Sequence, residues 1–90
     1  MKVVINDCHG GFGLSDVAVR RLSEIKGRNI DISDIERDDP ILVRVVEELG
    51  ASANGKYSDL KIVNIPDDVD WFIDEYDGNE WVSENHRRWG

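Results

Sequence analysis

Residues 6–16, NDCHGGFGLSD, bring together the residue types in this chain that can do chemistry. Gly10, Gly11 and Gly13 are three of its eight glycines and fall within four residues, directly after the first apolar run, VVI at 3–5. Glycines let backbone N–H groups come close to an anion, and a helix start adds partial positive charge. Phe12, set between glycines, can stack on a base or another ring. Ser15 can donate to a phosphate as well as cap a helix. Gly10, Gly11, Phe12, Gly13 and Ser15 therefore form a candidate binding loop for a small nucleotide-like ligand. The spacing is neither a Walker loop nor a dinucleotide fingerprint, and no lysine follows it. The competing reading is a tight turn with Phe12 tucked into the core.

Asp7, Cys8 and His9 invite a catalytic reading, which geometry weakens. Adjacent residues on a continuing strand point to opposite faces, so Cys8 and His9 form no nucleophile–base pair there, although in a loop they could meet. A metal site needs more ligands than Cys8, His9 and His86 supply alone, though nearby carboxylates could help. The expectation is a protein without a catalytic set, a metal or a cofactor. Cys8 is the only cysteine, so there is no disulfide framework and no sign of secretion.

The second candidate surface is acidic. Net charge is −8, and residues 66–84 hold eight acids and no base. Direct binding to a nucleic-acid backbone needs neutralising cations and is not expected. Asp70, Asp74, Glu75, Asp77, Glu80 and Glu84, with Asp67 and Asp68, could instead cover a basic groove on a protein partner or imitate a phosphate backbone. The plain alternative is an acidic surface that keeps a small protein soluble. Trp71, Phe72, Tyr76, Trp81 and Trp89 crowd the same end of the chain. Trp71 and Ile73 share one strand face, while Phe72 and Tyr76 lie on the other. One face packs on the helices. The other is an interface, with self-association the simplest way to bury it, unless the tail folds back and Trp89 covers it. His86, Arg87 and Arg88 are the basic cluster of this half. Arg87 and Arg88 could clamp a phosphate beside the glycine loop, pair with the chain's own acids or meet a partner's acids.

Elements must position these groups. Ninety residues with 40% apolar and 33% charged residues make one soluble domain spanning residues 1–90. No apolar run reaches membrane-spanning length, and the N-terminal run is too short for a signal peptide. Residues 2–6 read as a strand. Ser15 caps a helix whose core face is Leu14, Ala18, Leu22 and Ile25, and Gly27 ends it. Residues 28–38 are polar, with room for one short edge strand. Asp39, Pro40 and Gly50 punctuate a second helix facing the core with Leu42, Val45, Val46 and Leu49, with Arg44 and Glu48 paired outside. Residues 60–65 read as a largely buried strand stopped by Pro66. Residues 71–76 and 80–84 form a hairpin around Asp77-Gly78. The fold expected is α+β: a small, mostly antiparallel sheet with two helices on one face and a C-terminal hairpin.

The hairpin register has a chemical consequence. A two-residue loop sets Glu75 directly opposite Glu80, and like charges there are unfavourable. A three-residue loop, Asp77-Gly78-Asn79, removes the clash and is the expected form. If the tight turn holds instead, a cation or a partner that meets the two carboxylates would make it tolerable.

GGFGLS near the start, then DDPILVRVVEELG, ANGKYSDLKIVNIPDDV and EYDGNEWVSENHRRW, together resemble a family of small uncharacterised proteins of tailed bacteriophages and prophages. The resemblance covers nearly the whole chain, and its C-terminal string is the more specific part. It implies a phage accessory protein acting in the host cytoplasm, in counter-defence or host takeover, and carries over no catalytic residue. The leading expectation is a non-catalytic protein that sequesters a small nucleotide-like signal at a homo-oligomer interface. The alternative is an acidic inhibitor that covers a basic, nucleic-acid-binding surface of a host enzyme.

Overall fold

The computed structural model describes residues 1–84 and the backbone of residues 88–89. The fold is α+β, with two helices and two small antiparallel sheets. Strand β1 (Lys2–Asn6) pairs with β2 (Leu60–Asn64), Val4 lying opposite Ile62. Strand β3 (Phe72–Tyr76) pairs with β4 (Asn79–Ser83), which pairs in turn with the two-residue β5 (Arg88–Trp89). The strands thus divide between two sheets instead of forming one.

Side-chain alternation along β1 gives this sheet pair two apolar faces. Val4 packs with Leu14, Ala18 and Leu22 and with Leu42, Val45 and Val46. Val3 and Ile5 point the other way and pack with Val63, Ile65 and Val82, flanked by Trp71 and Ile73. The helices therefore cover one face of β1–β2 and the hairpin covers the opposite one. Strand β2 is half-buried rather than largely buried, with Lys61 and Asn64 exposed.

The helices form where their punctuation places them. Helix α1 (Asp16–Lys26) starts at Ser15, whose Oγ accepts from Ala18 N–H, and ends at Gly27 in the left-handed region with φ 71°. Helix α2 (Pro40–Leu49) starts at Asp39, whose carboxylate accepts from the N–H groups of Ile41 and Leu42. Glu48 turns to Arg21 of α1 at 3.5 Å, so the expected pairing with Arg44 is replaced by an inter-helix one. The polar segment 28–38 forms a 3-10 turn at Ile32–Asp34, not an edge strand, because Asp31 Oδ1 accepts from Ser33 N–H and Oγ–H and closes the chain locally.

The hairpin takes the tight two-residue loop. Tyr76 pairs with Asn79 and Glu75 with Glu80, which overturns the expected three-residue loop. Asp77 (φ 52°) and Gly78 (φ 89°) both adopt the left-handed region, as a type I′ turn requires.

Candidate functional site

Three backbone segments meet around the glycine loop. A Cβ on Gly10 would lie 1.7 Å from Tyr57 O, so the loop touches residues 54–58 there. A Cβ on Gly78 would lie 2.5 Å from His9 O and 2.6 Å from Gly11 N, so the hairpin turn seats on the loop's other side. Gly11 itself has φ 90°. Gly13 O accepts from Ser58 Oγ–H at 2.7 Å and from Gly55 N–H at 3.2 Å. What the glycines bring close is this chain's own backbone.

Asn6, fully buried, ties these segments together. Its Nδ2 donates to Cys8 O and Gly78 O, each at 2.8 Å, and its Oδ1 accepts from Asp59 N–H at 2.7 Å. A neutral amide suits the position because it donates twice and accepts at once.

The second knot is Arg37 with Glu80. The guanidinium donates to both carboxylate oxygens, at 2.7 and 2.9 Å, in the bidentate geometry that makes such pairs strong. Successive residues of β1 turn their backbone groups to opposite edges. On the edge away from β2, Val4 N–H donates to Arg37 O, Val4 O accepts from Arg37 Nη1, and Asn6 N–H donates to Glu80 Oε1. Arg37 and Glu80 thus stand where a further strand would. The Arg37 guanidinium also lies 3.5 Å from the centre of the Phe12 ring, a cation–π contact. Arg37 thus neutralises the Glu80 carboxylate opposite Glu75. The Glu75 carboxylate bends to accept from Gly78 N–H instead.

These contacts place the loop residues proposed from sequence. Gly10, Gly11, Phe12, Gly13 and Ser15 lie together as a strand-to-helix loop. Phe12 is half-buried, with one ring face against Arg37. Ser15 Oγ caps α1 and donates to Ser52 O at 2.6 Å, so its hydroxyl is committed within the fold. Among the described residues, the N–H groups of Phe12 and Gly13 meet no protein acceptor. Arg87, like His86, lies outside the described residues. Arg88 is placed only as backbone in β5 opposite Ser83, and its side chain also lies outside them. A cavity of about 290 Å³ lies elsewhere, lined by Met1, Lys2, Asp38, Pro40 and Val43.

Asp70, Asp74, Glu75 and Asp77 are exposed. Glu80 is 9% exposed and points inward to Arg37, so it is not part of that outward surface. Glu84 is half-buried. Phe72 (52% exposed) and Tyr76 (72%) stand on the outer face of β3, as the strand alternation requires, while Trp71 and Ile73 pack inward. Cys8 Sγ donates weakly to Tyr57 O at 3.2 Å, and His9 is exposed. No group of three or more metal-ligating side chains occurs among the described residues, and no described helix is long and apolar enough to cross a membrane.

The carboxyl of Asp39 lies below its ordinary range. Burial pushes it up, and the Lys26 ammonium together with the N–H groups of Ile41 and Leu42 more than offsets this. Asp31 is also lowered, by its hydrogen bonds from Ser33. Sequence reading missed Arg37 and Asn6. A lone arginine in a polar stretch and an asparagine ending a strand carry no local signal of burial.

Comparison with known proteins finds no matching family model, no matching curated protein and no matching solved structure.

Proposed function

We propose that the chain is a phage-encoded, non-catalytic accessory protein that binds a basic protein surface through the outer face of its C-terminal hairpin. The observation that carries this is the exposure of Phe72 and Tyr76 in line with Asp74 on one strand face, within a stretch of eight acids and no base. Aromatic rings give contact area at little entropic cost, and surrounding acids steer a basic partner into place. A nucleic-acid-binding groove on a host enzyme has the complementary chemistry. Self-association fits less well, because two copies would bring acidic strands together.

A titration against basic host proteins at low and high salt tests the reading. The expected partner is lost at high salt and lost again with Phe72→Ser/Tyr76→Ser, whose melting temperature stays near that of the parent. Capture unaffected by either change would overturn it. The N–H groups of Phe12 and Gly13 that meet no protein acceptor favour a second reading, an anionic nucleotide-like ligand at the glycine loop. Mass spectrometry of denatured protein tests that reading through a co-purified nucleotide.

A further inference from the structure

Strand β3 lies at the edge of its sheet, with β4 on one side only. In the two-residue hairpin, Tyr76 and Asp74 exchange backbone hydrogen bonds with Asn79 and Trp81, so Ile73 and Glu75 turn their backbone groups to the free edge. There the N–H and C=O of Ile73 and the C=O of Glu75 meet no acceptor or donor among the described residues. Glu75 N–H is covered only by its neighbour, Asp74 Oδ1, at 3.0 Å. Such an edge is a template for another strand.

Charge decides what that strand is. Asp74, Glu75 and Asp77 are all exposed along this edge, and no lysine or arginine lies between residues 66 and 84. A second copy would set carboxylate against carboxylate. We infer that the free edge of β3 receives an extended basic segment of a partner protein as an added strand, and that Asp74 is the latch it releases. A lysine or arginine of the incoming segment pairs with the Asp74 carboxylate, which frees Glu75 N–H for the new ladder. Phe72 and Tyr76, on the outer face of the same strand, then flank the incoming alternate side chains and their aliphatic stems. This rests on the proposed binding of a basic surface and specifies how that binding is made.

The test uses the full chain and three short peptides: one alternating lysine with valine, the same peptide N-methylated at every residue, and one alternating glutamate with valine. Methylation keeps charge and removes the donors a strand needs. The lysine peptide is expected to bind and to slow amide exchange at Ile73 and Glu75 by about tenfold or more at saturation. The methylated peptide is expected to bind about tenfold more weakly or worse, and the glutamate peptide not at all. Asp74→Asn keeps an oxygen over Glu75 N–H and removes the charge, so it is expected to weaken the lysine peptide several-fold. Equal binding of both lysine peptides without protection at Ile73 would overturn strand addition and leave the basic-surface reading standing. Binding of none of the peptides would overturn strand addition, and a failed host-protein titration would overturn the surface reading separately.

Discussion

Glu80→Ala tests whether the Arg37–Glu80 pair joins the two sheets. The Glu80 carboxylate accepts from Arg37 Nη1 and Nη2 and from Asn6 N–H, at 2.7, 2.9 and 2.8 Å. Alanine leaves a guanidinium whose side chain is 21% exposed without its counter-charge, and a buried N–H without an acceptor. An orphaned buried donor costs about 1–3 kcal/mol, and removing one partner of a buried ion pair costs about 3–5 kcal/mol in all. Total stability for a domain of this size is on the order of 5–15 kcal/mol, so the melting temperature should fall by roughly 20 °C. Urea unfolding followed by tryptophan fluorescence measures the loss, since Trp71 lies beside the second core. Arg37→Met/Glu80→Leu should cost less than the sum of the single changes, because neither partner is then left charged and alone. A loss below about 1 kcal/mol for Glu80→Ala, or additive single changes, would refute the bridging role.

The glycines separate in the same assay. Gly10→Ala should destabilise by about 2 kcal/mol or more, since its Cβ would meet Tyr57 O at 1.7 Å. Gly13→Ala meets nothing within 4 Å and lies outside the left-handed region, so it should be neutral or gain a few tenths of a kcal/mol. Asn6→Asp replaces a double donor with an acceptor facing Cys8 O and Gly78 O, and should cost about 3 kcal/mol by denaturant titration. Asp39 is held below its unfolded value, so its contribution to stability is present above the ordinary carboxylate pKa, about 4, and is lost as pH falls through the folded value. The parent should therefore lose stability on acidification more steeply than Asp39→Asn, and parallel melting curves from pH 5 down to about pH 2 would refute this.

Local chemistry was legible in the sequence, and contacts between distant residues were not. Ser15, Gly27, Asp39 and Pro40 act on backbone groups within a few residues, so their types and spacing located both helices. Tyr76, Asp77 and Gly78 located the hairpin for the same reason. The Glu75–Glu80 opposition favoured a three-residue loop and left a cation or a partner as the condition for the tight turn that formed. It could not say which one, because Arg37 is 43 residues from Glu80 and sits in a segment without periodicity. The short edge strand expected in that segment failed because Asp31 closes a local turn on Ser33, a side-chain competitor that apolar patterning does not register. Glycine spacing marked residues 10–13 as a loop that lets backbone approach closely, or as a tight turn. Steric need is the same whether a phosphate or a carbonyl arrives, so the sequence could not identify Tyr57 O as the neighbour.

The glycine loop and the acidic hairpin are joined in the fold. An isolated two-stranded hairpin is marginal in water, and here the inner face supplies the anchorage. Gly78 seats on the carbonyl of His9, Glu80 grips Arg37, and Val82 enters the core formed by Val3, Ile5, Val63 and Ile65. The loop is the platform for that seat, with Gly10 closed against Tyr57 O and Gly11 at φ 90°. Trp71, just before β3, and Ile73 within it do the inward packing, so the fold makes no demand for large aromatic rings at Phe72 and Tyr76. Two exposed rings on a strand that leaves one edge unpaired, flanked by carboxylates, are the surface on which the proposed partner binding rests. Under the proposed strand addition, the glycine-rich segment would serve binding by holding the hairpin in place.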